Sequence, residues 1–182
     1  LDPTINSFSD TNGVWMGARN IILDSSAELI CTTLINCNKM YQSGATLNGV
    51  TVLGANTATG TAFIESNSPQ LMTNCSFNYS TGHTIEITPD SPTAFTFSNN
   101  SFIGSYGANG SNEAAIYNNS GTNIVTNVSG GDTPTYRNGA GATTTVNNTV
   151  TLSLTNLVDD TEVRIYSANT INELDGQESV SG

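Results

Sequence analysis

The chain has 182 residues, four Lys or Arg against fifteen Asp or Glu, and a formal net charge of −11. Clustered basic residues are what neutralise phosphate, so a nucleic-acid partner is excluded, and an anionic membrane surface is disfavoured on the same ground. Charged residues make up only 10% of the chain while 36% are hydrophobic. That balance, with Asn, Thr, Ser and Gly as the polar bulk, predicts a turn-rich β protein with a buried core, neither helical nor disordered.

From Leu1 to Asn20 the apolar anchors Ile5, Phe8, Val14, Trp15 and Met16, with the turn signal Asp10-Thr-Asn-Gly13, read as an incomplete first coil. The chain opens on Leu1 and is expected to be an interior piece of a longer polypeptide. Ile21–Leu23 predicts a strand, Asp24–Ser26 a turn, and Glu28–Cys37 a second strand region. Lys39–Tyr41 then leads through Gln42–Gly44 into a strand over Thr46–Leu53.

The stretch Leu71-Met-Thr-Asn-Cys-Ser-Phe77 returns 25 residues on, as Phe97-Ser-Asn-Asn-Ser-Phe102, with Asn74 on Asn99, Cys75 on Asn100 and Phe77 on Phe102. The same distance backwards places Val50 and Val52 on Cys75 and Phe77. Forwards, Asn127 and Val128 are expected at the places of Asn74 and Cys75. A second family of strands, around Met40, Ile64, Ile87 and Ile116 or Tyr117, alternates with the first. Glu86 between Ile85 and Ile87 shows the period of two of a half-buried strand. Ser68-Pro69, Ser91-Pro92 and Ser120-Gly121 punctuate the corners. Short strands recurring at such a period predict a parallel β-solenoid, about 25 residues per coil, each coil strand, bend, strand, bend.

The solenoid is expected over 1–131, a linker over the Pro- and Gly-marked segment 132–142, and a different β module over 143–182. In that module Thr143–Leu154 and Glu162–Tyr166 alternate and predict a hairpin, part of a small sandwich.

Asn74, Asn99 and Asn127 are expected at corners, where Asn tolerates left-handed backbone and bonds to the next coil. Asn100 puts an amide where its counterparts are apolar, and it needs a hydrogen-bond partner if it points inward. Cys31, Cys37 and Cys75 lack metal-ligand spacing and read as small buried hydrophobes. His83 is the one histidine, expected on a loop surface. The acids Glu65, Glu86, Asp90, Glu113 and Asp132 are dispersed, Glu113 lying in a loop that could approach Glu86 and Asp90. A carboxylate pair for sugar cleavage is not evident among them. No catalytic residue, cofactor site or metal site is assigned. Tyr79, Tyr106 and Tyr117 lie near the variable connections and are the candidates for stacking on a glycan, with a core or corner role as the competing reading.

The coils from Ile21 to Gly130 resemble the right-handed parallel β-helix repeats of phage tailspikes, pectate lyases and surface proteins. The run Val150–Leu157, through Thr161–Tyr166 to Glu173–Gly176, resembles a β-sandwich module that follows β-helix segments in virion structural proteins of marine tailed phages. The resemblance implies a non-enzymatic structural component on the virion exterior, a head fibre, decoration protein or tail appendage, beside other virion proteins. Exposed solenoid flanks and an incomplete sandwich add the expectation of a homotrimer. The alternatives are a tail protein that binds or depolymerises host surface glycan, and a bacterial surface adhesin.

Overall fold

The computed structural model describes residues 9–58, 60–107, 113–148, 162–166 and 171, and the backbone of 4–5 and 173–178. The chain divides into two compact units, Leu1–Val150 and Thr151–Gly182.

The first unit is a parallel β-solenoid of about six turns. Each full coil carries three strands, where two were expected, so the coil has three faces. The first face stacks Thr4–Ile5, Asn20–Leu23, Lys39–Gln42, Ala62–Ser66, His83–Ile87, Ile116–Asn118 and Tyr136–Asn138. The second stacks Ser9–Thr11, Glu28–Ile30, Thr46–Asn48, Met72–Thr73, the start of Ala94–Tyr106, Asn123–Gly131 and Thr143–Asn148. The third stacks Val14–Met16, Thr33–Ile35, Thr51–Ala55, Ser76–Ser80 and the end of Ala94–Tyr106. The first coil, expected to be incomplete, thus supplies a strand to each of the three faces.

Coil length is not constant. Phe102 pairs with Phe77 and Phe77 with Val52, the expected spacing of 25. Val52 pairs with Leu34, only 18 residues back, whereas Ile116 pairs with Ile85, 31 back. The mean spacing is about 21. Length varies in the connections while the strand register holds, because a strand is fixed by its neighbour's backbone and a surface loop is not.

The corner between the second and third faces is a column of left-handed residues: Asn12, Cys31, Gly49, Asn74 and Asn99, with φ between 52° and 68°. Asn tolerates this conformation and Gly enters it without a Cβ penalty. The amides also bond along the column, Asn99 Nδ2 donating to Asn74 Oδ1 (3.2 Å) and Asn74 Nδ2 to Asn48 Oδ1 (2.8 Å). Asn127 does not belong to it. It pairs with Thr96 inside a strand, and the next corner passes through Gly130, φ +70°.

Apolar columns fill the interior: Leu29, Leu47, Met72 and Phe97 behind the second face, Leu34, Val52 and Phe77 behind the third. Met40, Ile64, Ile85 and Ile116 line the first, with Ile85 in the place expected for Ile87. The rings of Phe77 and Phe102 stack at 5.2 Å, and Phe97 meets Phe102 edge-on at 6.1 Å. Two polar side chains of this interior bond to backbone carbonyls, while the buried hydroxyls of Thr84 and Thr126 have no hydrogen-bond partner among the described residues. Gln42 donates to the Ala45 and Ser68 carbonyls (2.6 and 3.1 Å), and Asn118 to the Thr143 carbonyl (2.9 Å).

The expected linker is not one. Tyr136–Asn138 adds a parallel strand to Ile116–Asn118, and Thr143–Asn148 adds one to Asn123–Val128, so the solenoid continues past 131. Backbone pairing to the preceding coil fixes these short strands despite their Pro and Gly surroundings. The third face ends earlier, where Asp132 Oδ2 accepts from the Phe102 N–H (3.0 Å).

In the second unit Glu162–Tyr166 pairs antiparallel with Glu173–Glu178. Residues 149–161, which hold Val150–Leu157, lie outside the described residues.

Candidate functional site

On the first face an outward row runs Tyr41, Glu65, Glu86, Tyr117 and Arg137, each the register partner of the next. Neighbouring strands lie about 4.8 Å apart, so these side chains stack along the solenoid axis. Glu65 and Glu86 are therefore adjacent, a pairing of carboxylates that their separation in sequence hides. Like charges so placed repel, and each is engaged by a neighbour. Lys39 Nζ lies 2.5 Å from Glu65 Oε1 and also donates to the Ala62 carbonyl (3.0 Å), while Asn119 Nδ2 donates to Glu86 Oε1 (2.8 Å). The Lys39 ammonium also sits 5.6 Å from the Tyr41 ring centre.

At the other end of the row Tyr117, Arg137 and His83 form a cluster in mutual contact. The Arg137 guanidinium covers one side of the Tyr117 ring at 4.8 Å, and the His83 ring packs near it with centroids 5.5 Å apart and a 22° interplanar angle. Arg137 Nη1 lies 3.3 Å from His83 Nε2, and His83 Nδ1 lies 2.6 Å from the Ala114 carbonyl. Arginine can only donate, so His83 accepts at Nε2 and carries its proton on Nδ1, which donates to Ala114. Burial lowers the pKa of His83, and the Arg137 charge acts in the same direction. His83 is thus a neutral, fully buried strand residue, not the surface loop residue expected. Its flanking Gly82 suggested a loop, but the residue opens a strand that pairs with Ala62.

The three candidate tyrosines have three different fates. Tyr117 lies half-buried under Arg137 in this row. Tyr106 is 6% exposed and donates to the Phe77 carbonyl (2.7 Å), with its phenol pushed up to about 12 by burial. It cannot stack on a ligand outside, and its candidacy falls. Tyr79 is 56% exposed. Its strand keeps register with Thr51–Ala55, where Tyr79 lies opposite Gly54, and its ring sits over a groove of about 560 Å³ lined by Asn36, Gly54, Asn56, Thr81 and Ser105. Gly54, at φ +63°, makes room for it, since a Cβ there would meet the Tyr79 ring at 2.8 Å and Asn36 Oδ1 at 2.9 Å. Amides, hydroxyls and one exposed ring suit an uncharged, hydroxyl-rich ligand.

Glu113, whose loop could approach Glu86 and Asp90, borders a groove with Phe102, Tyr106, Thr133 and Thr135. Cys37 and Cys75 are buried, but Cys31 is exposed at its corner. What sequence reasoning missed was the pairing of Glu65 with Glu86. The shared dipeptides Ile64-Glu65 and Ile85-Glu86 carried that signal, because equal phase on successive strands puts both acids in one row. Among the described residues no group of three or more His, Cys, Asp or Glu is placed to hold a metal ion. No family model, curated protein or solved structure matches the chain.

Proposed function

We propose that this chain is a non-enzymatic structural component on the exterior of a phage particle, a stiff module of a head fibre, decoration protein or tail appendage. It works as a homotrimer beside other virion proteins. The observation that supports this reading is the in-register first face. Seven parallel strands at about 4.8 Å spacing make a rod segment roughly 29 Å long, with its buried Gln42 and Asn118 satisfied. Such a stack resists bending because each coil is bonded to the next along three faces as far as Tyr106 and along two beyond it. Electron microscopy of native particles with an antibody to this chain tests the reading. Label on the outer surface is the expected result, and particles free of label would overturn it.

A second reading has its own observation, Tyr79 exposed over an amide- and hydroxyl-lined groove. In that reading the module also contacts host surface glycan. Incubation with host surface polysaccharide tests it. Retention that is lost in Tyr79→Ala supports it, and neither retention nor shortening of the polymer removes it.

A further inference from the structure

On the third face the outward row is Met16, Ile35, Leu53, Asn78 and Ile103, in continuous register. Met16 is 72% exposed and Ile103 52%, and Val14 beside Met16 is 61% exposed. The companion outward row is Val14, Thr33, Thr51, Ser76 and Ser101. Four of the five residues of the Met16 row are apolar and form a stripe parallel to the axis, interrupted by Asn78 between Leu53 and Ile103, that water solvates poorly.

Charge separates this face from the other two. The strands of the first face carry Lys39, Glu65, Glu86 and Arg137, and those of the second carry Asp10 and Glu28. The strands of the third face carry no charged residue, and one carboxylate, that of Asp132, caps the last of them at the Phe102 N–H. In a chain of net charge −11, two copies repel wherever their acidic surfaces meet. This apolar face, uncharged along its strands, is the one on which they meet with least of that penalty.

We propose that the third face is the surface by which this chain binds a second copy of itself, through Met16, Ile35, Leu53 and Ile103. This deepens the self-association in the reading above and rests on it. Five strands at about 4.8 Å and up to five residues at about 3.3 Å make a patch of a few hundred Å². A stable pair buries about 800 Å² per partner. Association through this face alone is therefore weak and concentration-dependent.

The test is light scattering of the whole chain from micromolar to millimolar concentration, with the double variant Leu53→Glu, Ile103→Glu beside it. Circular dichroism checks that the variant keeps its β structure. The expected result is a mass that rises with concentration in the wild type and stays monomeric in the variant. A second measurement needs no disruptive change. In a Cys31→Asn background, Ile103→Cys on this face should cross-link copies on oxidation, and Tyr41→Cys on the first face should not. A wild type that stays monomeric throughout overturns both the self-association and this face, leaving the particle location standing. An oligomer that survives the double variant, or cross-links through the Tyr41 position instead, overturns the face alone.

Discussion

Asn100 lies inside the solenoid and holds Cys75 in place. Its Oδ1 accepts from the Cys75 backbone N–H at 2.8 Å, and its Nδ2 donates to the Met72 carbonyl at 2.8 Å. The side chain is 1% exposed. It sits one position past the left-handed corner, where the coils before it carry Val50 and Cys75, and it ties two coils together from within. The expectation that an inward Asn100 must find partners is met on both sides of the amide.

Asn100→Leu should therefore destabilise strongly although it makes the core more apolar. It strands a buried donor and a buried acceptor, each worth about 1–3 kcal/mol. Denaturant unfolding should show a loss of about 2–4 kcal/mol. A neutral effect would mean that the amide bonds contribute nothing net.

At the corner, Asn74 at φ 56° and Asn99 at φ 53° pose a conformational test. Asn74→Val places a β-branched residue in left-handed backbone and also removes the amide ladder, and should cost about 1–3 kcal/mol. Asn74→Gly loses the ladder alone and should cost less than Asn74→Val. Comparing the two melting temperatures checks the order.

Tyrosine substitutions should separate the buried ring from the exposed one. Tyr106→Phe removes a buried bond to the Phe77 carbonyl and should lower stability by about 1–2 kcal/mol. Tyr79→Phe touches no buried bond and should leave stability within about 0.5 kcal/mol.

Alkali should weaken the fold through four groups whose pKa burial raises, Cys37, Cys75, Tyr106 and Tyr136. Burial pushes the Cys75 thiol up from 9.0 to about 11 and the Tyr106 phenol from 10.0 to about 12. A raised folded pKa means that the folded state keeps its proton longer than the unfolded chain does. The stabilisation is complete below pH 9.0, the lower unfolded value, and is lost as pH rises towards about 11 and 12. Denaturation midpoints should fall across that window, and Tyr106→Phe should flatten the upper part of the fall.

Much of the fold was legible where interior and corner chemistry recur together. Phe77 and Phe102 repeat an interior position and Asn74 and Asn99 a corner, so their spacing of 25 is recovered residue for residue. The third strand of each coil was hidden because its corner is made by unlike residues, Cys31 and Gly49, that share only a positive φ. Tyr136–Asn138 was hidden because a three-residue strand has no pattern of its own and takes its form from Ile116–Asn118. The candidate site was less legible. Tyr79 and Tyr106 look alike in sequence, and only their packing separates them, Tyr79 at the surface opposite Gly54 and Tyr106 bonded inside to the Phe77 carbonyl.

Everything above depends on the coil register, and nuclear Overhauser contacts between backbones measure it directly. The account predicts cross-strand contacts linking Ser76 to Ser101, Phe77 to Phe102 and Val52 to Phe77 in one parallel ladder. Contacts shifted by one residue would turn Asn100 outward and Tyr79 inward, and would contradict it.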